Sequence, residues 1–565
     1  MSSKKNLLTI VLSLLLLGIG VFVIVYGGMT LTKDIGKSNQ LVSKEKAQQT
    51  LRNTYNQITV KKNKPRKALV DIKKSSVKDS LPDISKFPVQ VQNSTTEFIE
   101  IFSSPEKAGP RKDGWLIEIA KDFNNAGIKV KGQKVSVKIR KIASGTGKDY
   151  IISGKYVPDA FTPSNALWGK MIEQKGQKIE LVEPKLVGNV AGVLFSKEQH
   201  KQLLDKYGAI NLKIITEAVA KNELAMGYTN PFASSTGLNL LLSTLSTFDE
   251  QELLSAEAVE GFEKFQNNIP FVALTTMQMR DAAKSGSLDG FIMEYQTYFN
   301  TPELKADYVF TPFGVRHDNP LFAIGNLAAN KKEILNKFIN FAKQDKYQRL
   351  ASNYGFNKLE QYEPEMKEAA EDTIIQAQKL WKEKKDGNNE IVSVFAADVS
   401  GSMDGEALNK LKESLLTASQ YIREDNSVGL VTFSSNVNIN LPINKFDLNQ
   451  RSYFAGAVED MQASGNTAMF DAIVVATDML IKAKENKPNA KLMLFVLSDG
   501  NTNRGHSFND IKSMLQVLKI PIYTIGYNAD IKVLQNISRI NEAASINADV
   551  DDVTYKLRNL FNAQM

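Results

Sequence analysis

Apolar positions along the chain follow two patterns in turn. Residues 7–26 form a Leu/Ile/Val-rich run broken only by Thr9, Ser13, Gly18 and Gly20, with Lys4 and Lys5 before it and no charge until Lys33. About 20 residues of helix match a hydrocarbon core of about 30 Å, whereas a cleaved leader has a shorter apolar stretch ending in a small-x-small site. Val25-Tyr26-Gly27 is a poor version of that site, so the run predicts an uncleaved signal anchor. Further on, short apolar runs alternate with stretches at helical spacing. Strands are predicted at 97–102 and 135–142 around a helix at 114–125. The alternation resumes at 391: strands at 428–433, 437–441, 491–498 and 520–525, helices at 406–423, 451–461, 468–482 and 555–562. Strand–loop–helix order of this kind predicts α/β units with largely parallel sheets. Between them, 364–385 reads as a charged amphipathic helix with Met366, Ala369, Ile374 and Leu380 on its apolar side, ended by Asp386-Gly387-Asn388-Asn389.

These breaks divide the chain into a short cytoplasmic start (1–5), the transmembrane anchor (6–29), a basic stalk (30–90), a middle α/β domain (91–345), connecting helices (346–387) and a last domain (388–565). Composition changes this picture in two places. Residues 33–90 hold 14 basic and 5 acidic residues, enough to account for the whole-chain charge of +8, so the folded domains are near neutral and nucleic-acid binding is not expected of them. The stalk is read as solvated, helical over 39–57, with attraction to anionic lipid or cell wall as a side effect; 81–88 is read as extended. Cysteine is absent, which excludes disulfides, thiolate metal sites and a cysteine nucleophile. His200, His317 and His506 form no HExxH-type pair and read as surface or packing residues.

The chemistry concentrates where the run 391–398 ends. Its apolar sequence IVSVFAA suits a strand buried on both faces, and it runs into Asp398-x-Ser400-x-Ser402. Open α/β sheets bind ligands at the carboxyl edge of their strands. Thr467 precedes the helix at 468–482, and Asp499-Gly500 directly follows the strand at 491–498. All these donors are hard oxygens, which suit Mg²⁺, Mn²⁺ or Ca²⁺. From about residue 388 to the end the chain resembles a von Willebrand factor type A domain, and Asp398, Ser400, Ser402, Thr467 and Asp499 match that family's metal-ion-dependent adhesion site with no member missing. The resemblance implies a doubly wound, Rossmann-like sheet holding one divalent ion, with a coordination position open to a partner's Asp or Glu. Asn501, Asn503 and His506 would rim that face or serve as ordinary loop residues.

The middle stretch carries Ser/Thr/Gly turns after its strands: Ser103-Ser104-Pro105, Ser144-Gly145-Thr146-Gly147, then YTNPFASSTGLN from Tyr228 and LDGFIMEYQTYF from Leu288. Such a turn opening a helix directs N–H and hydroxyl donors toward an oxyanion. The order and phrases resemble the type 2 solute-binding domain of bacterial transport systems. That resemblance implies two α/β lobes around a cleft lined by Ser103, Ser144, Thr146, Ser164, Asn165, Ser235 and Thr236, with Glu294 and Gln296 approaching from a later strand. Glu294 is an acceptor and fits poorly with a bare anion.

The expectation is a membrane-anchored, externally facing bacterial binding protein. Its last domain would capture a protein carboxylate through a bound ion, and its middle domain would take a small solute. The alternative makes the middle domain the sensor and the last domain a relay to a membrane partner. An enzyme is not expected: there is no Walker-type loop, no paired-metal cluster and no nucleophile with a His base.

Overall fold

A computed structural model describes residues 44–70, 81–269, 271–273, 279, 289–364, 366, 369–385, 389–527, 531–538, 545–547 and 557. The anchor at 6–29 and most of the helix at 555–562 lie outside the described residues. Among the described residues no helix is long and apolar enough to cross a membrane.

The run at 391 forms the strand Ile391–Asp398, buried at every position. It pairs in parallel with Ser427–Phe433 on one side and Lys491–Ser498 on the other, which is why both of its faces are apolar. The full sheet runs in the order Val60–Lys62, Val437–Lys445, Ser427–Phe433, Ile391–Asp398, Lys491–Ser498, Ile522–Gly526, Ser545–Asn547. One face packs on the helices Glu406–Ser419 and Leu448–Glu459, the other on Met469–Asn486 and Phe508–Leu518. This is a doubly wound α/β layer, and the carboxyl ends of its parallel strands carry Asp398 and Asp499.

The first strand of that sheet comes from the segment read as a free stalk. Val60, Lys61 and Lys62 pair in parallel with Val437, Asn438 and Ile439. The preceding helix, Lys44–Tyr55, buries Ala47 and Leu51 in the core formed by Met469–Asn486 and Phe508–Leu518. Beyond the strand, Ala68 donates its N–H to the Ser452 carbonyl at 3.0 Å, and Arg66 pairs with Glu459 at 2.7 Å and Asp460 at 2.9 Å. Residues 44–68 are therefore an integral part of the last α/β unit rather than a solvated stalk. Their basic side chains are exposed, while Ala47 and Leu51 are buried and Tyr55, Ile58 and Val60 pack against the same core. The middle unit is in effect inserted between residues 70 and 389.

That middle unit has two sheets. The first contains Val89–Val91, Gln133–Lys141, Glu97–Ser103, Ala160–Thr162, Leu321–Ile324 and Ile179–Glu183 in that order. The second runs Phe271–Ala273, Met226–Thr229, Gly290–Glu294, Ala191–Ser196, Tyr308–Phe313. The chain passes from the first sheet to the second after Glu183 and returns before Leu321. The stretch expected to be extended at 81–88 contains a short 3₁₀ turn, Ile84–Lys86, because Asp83 caps it by accepting the Ser85 N–H at 2.8 Å. The helices expected to connect domains instead complete the middle unit. Asp345–Asn353 buries Tyr347 and Ala351 in the first lobe. Glu371–Lys384 starts later than the pattern predicts, after Ala370 in extended conformation, and places Ile374, Ala377 and Trp381 in the core that includes the second lobe.

Candidate functional site

Three turns meet at the carboxyl edge of the last sheet. The turn after Ile391–Asp398 is tied to the turn before Met469–Asn486 by Gly401 N–H to the Gly465 carbonyl (2.9 Å) and Ser464 N–H to the Val399 carbonyl (2.8 Å). That second turn is tied to the one after Lys491–Ser498: Asn503 Oδ1 accepts the Thr467 N–H at 2.9 Å, and the Thr502 hydroxyl donates to the Thr467 carbonyl at 3.1 Å. The strands themselves are joined by Ser498 Oγ, which donates to Asp398 Oδ2 at 2.5 Å. Asp398, Ser400, Ser402, Thr467 and Asp499 are thus held on one rim. Asn503 fixes the Thr467 loop, while His506 turns away to Asp471 Oδ1 at 2.7 Å and Gln57 Oε1 at 3.3 Å.

The electrostatics of that rim are unbalanced. Asp398 is fully buried and Asp499 nearly so, and neither forms an ion pair with a described residue. Burial pushes the Asp398 carboxyl up to about 6, and the neighbouring Asp499 charge adds to the rise, although Ser400 and Ser498 oppose it by donating hydrogen bonds. The Ser400 and Ser402 hydroxyls lie 3.1 Å apart. Buried like charges are costly unless a cation or donors compensate them. A rim with two carboxylates, three hydroxyls and no basic side chain bonded to either carboxylate fits a hard divalent cation. Among the described residues no cluster of three His, Cys, Asp or Glu forms a metal site. The hydroxyl-rich set is of another kind, because it draws only two of its five donors from those residue types.

The middle cleft is closed around a buried polar cluster. A cavity of about 30 Å³ is lined by Ser144, Ser164, Ser235 and Glu294, all expected, by Ser104 and Ser234 from turns singled out in the sequence, and by Glu106, which was not expected. It has room for about one water molecule. Ser103, Thr146, Asn165, Thr236 and Gln296 are buried but do not line it. The Thr236 hydroxyl donates to Glu294 Oε1 at 3.3 Å; Gln296 Nε2 donates to Asp113 Oδ1 at 3.1 Å; Asn165 Nδ2 lies 3.2 Å from His317 Nε2. His317 is fully buried, with Nδ1 2.9 Å from Glu294 Oε1. Lys107, also fully buried, reaches Ser104, Asn319 Oδ1 at 2.9 Å and Glu106 at 3.3 Å. Burial drives the Lys107 ammonium below its usual range, with Glu106 opposing; burial alone would raise Glu106, but the Lys107 charge and the Ser104 and Ser164 hydroxyls hold it below the ordinary value. Burial, and then the Glu106 charge, raise Glu294. A second carboxylate makes this cleft a poorer receptor for a bare anion than its serine turns alone suggested.

Fold and sites together define a chain of two α/β units of the binding type, each with its polar residues gathered at one place. Residues 394–563 match the von Willebrand factor type A domain family, and residues 108–357 match a family of bacterial extracellular solute-binding proteins. The chain is 28% identical over 162 residues to inter-alpha-trypsin inhibitor heavy chain H3 of Bos taurus, covering 26% of this chain and 18% of that one. It is 26% identical over 132 residues to the uncharacterized protein sll0103 of Synechocystis sp., covering 23% and 30%. The chain therefore spans less than a third of the length of these relatives. Among solved structures it is similar to a von Willebrand factor type A from Catenulispora acidiphila (22% identity, 31% of this chain and 42% of that one, TM-score 0.28). It is also similar to the sulfate-binding protein SubI from Mycobacterium tuberculosis H37Rv (17% identity, 47% and 88%, TM-score 0.34).

Proposed function

We propose that the protein is an externally facing bacterial binding protein, anchored through residues 6–29, that captures a protein partner through a metal-bearing rim. Asp398, Ser400, Ser402, Thr467 and Asp499 would hold one Mg²⁺, with Mn²⁺ or Ca²⁺ as substitutes. When bound, the ion would supply a Lewis-acidic position for an exposed Asp or Glu of the partner. The chain's own part is to hold the donors in place: the tie from Thr467 to Asn503 and the tie from Ser464 to Val399 keep the three turns in register. The observation that carries the reading is the buried Asp398 and Asp499 pair with no cationic partner among the described residues. Isothermal calorimetry of the full chain with Mg²⁺ and Mn²⁺ tests it. Asp398→Ala should abolish binding and leave far-ultraviolet circular dichroism unchanged; equal metal affinity in that variant would overturn the reading.

A second reading gives the middle unit a small solute and the last unit a relay role. It is supported by the match to extracellular solute-binding proteins and by the buried cluster around Glu294. The paired carboxylates favour a cationic or hydroxyl-rich solute over an oxyanion. Thermal-shift screening against amines, sugars and oxyanions separates these classes, and no shift with any of them would remove this reading.

A further inference from the structure

The loop that follows Asp499 is built around Thr467. The Thr467 carbonyl accepts from the Thr502 hydroxyl at 3.1 Å and from the N–H groups of Asn503 and Arg504, each at 3.2 Å. Its own N–H donates to Asn503 Oδ1 at 2.9 Å. Where Thr467 stands is therefore set by this loop. The loop's start is tied to the strand Lys491–Ser498: Gly500 N–H donates to Ser498 Oγ and Asn501 N–H to Asp499 Oδ1, both at 3.0 Å. Its end is tied to Asp471, whose Oδ1 accepts the His506 N–H at 2.9 Å and lies 2.7 Å from His506 Nδ1. Asp471 belongs to the first turn of Met469–Asn486, the helix that Thr467 leads into, where a carboxylate suits the positive end of the helix. Thr467, the helix start, Asp471, His506 and the loop thus form a closed clasp. It is tight: Gly505 sits at φ 80°, and a Cβ there would run into the Asp471 carboxylate. On its other side the His506 ring is met by Gln57, whose Oε1 lies 3.3 Å from Nε2.

We infer that Asp471 and His506 are positioning residues of the metal-bearing rim. The inference rests on the reading of that rim as a divalent-cation site. Neither residue belongs to the donor set; both act through the loop that fixes where the Thr467 hydroxyl lies. Mg²⁺ demands near-ideal octahedral geometry, so displacing one hydroxyl is felt in affinity. Substitutions behind a metal's ligands typically cost about 10–100-fold in affinity. What the loop takes from Asp471 is one oxygen facing two donors, so an amide oxygen in the same place serves as well as a carboxylate.

The test compares Asp471→Ala with Asp471→Asn in the full chain. Calorimetry with Mg²⁺ should show affinity lowered by about tenfold or more in Asp471→Ala and within about threefold of wild type in Asp471→Asn. The rescue separates a hydrogen-bonding role from attraction of the ion by the Asp471 charge. A second readout needs no metal: in chelator-treated protein, tryptic cleavage after Arg504 should rise by about tenfold in Asp471→Ala and stay near the wild-type rate in Asp471→Asn, because cleavage follows opening of the loop. Should Asp471→Ala misfold by circular dichroism, His506→Ala takes its place, with affinity expected to fall by about threefold or more. Wild-type affinity and wild-type cleavage in the alanine variant overturn this inference alone, provided the wild type binds Mg²⁺. Equal loss of affinity in Asp471→Asn and Asp471→Ala also overturns it, since charge rather than loop position would then be at work. Absence of Mg²⁺ binding by the wild type overturns the reading of the rim and this inference with it.

Discussion

Lys107 is a fully buried lysine whose partners account for its burial. It sits with zero exposure between Ser104, Glu106 and Asn319, and the last of these arrives from 212 residues further along the chain. Removing one member of a buried ion pair leaves the other uncompensated, typically at about 3–5 kcal/mol, whereas replacing both with apolar groups is far milder. Glu106→Gln should therefore destabilise the middle unit by about 3 kcal/mol, and Glu106→Leu with Lys107→Met should recover much of the loss. Urea unfolding followed by tryptophan fluorescence measures this cleanly, because Trp115, Trp168 and Trp381, the three tryptophans of the chain, are all buried in the middle unit. The same contrast explains what was legible in the sequence. Asp398, Ser400 and Ser402 announce themselves because they follow one buried strand at fixed spacing. Glu106, Lys107 and His317 did not, because Pro-Glu-Lys reads as an exposed helix start and nothing local shows that the opposite lobe covers it.

At the scale of elements, the segment 44–68 shows the same limit. A helix there was readable from spacing, but its docking was not, since a three-residue strand of Val-Lys-Lys has no periodicity to read. Its seat is specified on the receiving side. A Cβ on Gly456 would stand 2.0 Å from the Arg66 carbonyl oxygen, so the helix Leu448–Glu459 needs glycine where the segment crosses it. Gly456→Val should lift residues 63–68 and raise tryptic cleavage at Arg66 and Lys67 by about tenfold or more, the rate tracking how often the segment opens. Leu51→Ala, in the helix that buries it, should cost about 2–5 kcal/mol in the stability of the last unit. Thermal unfolding read by intrinsic tyrosine signal in a tryptophan-free background would register it.

For the whole molecule, the insertion of the middle unit between residues 70 and 389 makes the outer unit separable. Joining 70 to 389 by a Gly/Ser linker of about 20 residues should leave a folded unit with unchanged metal affinity, because every rim donor and every tie between the three turns comes from residues beyond 397. Loss of metal binding in that shortened chain would place part of the rim's support in the middle unit. The alternation of strands and helices in both units was legible, since buried parallel strands write continuous apolar runs; which unit owns residues 44–68 was not, since ownership is decided by packing between segments more than 370 residues apart, such as the 384 that separate Ala68 from Ser452.

The path of the first helix also sets which way the molecule faces. It starts with Lys44 beside Lys484, near the far end of Met469–Asn486, and the middle unit joins at the start of Ile391–Asp398. Both attachments therefore leave from the bottom of the last sheet, while Asp398 and Asp499 crown its top. If a leader upstream of Lys44 is fixed to a surface, the crown looks away from that surface, and a large partner would approach it from the opposite side.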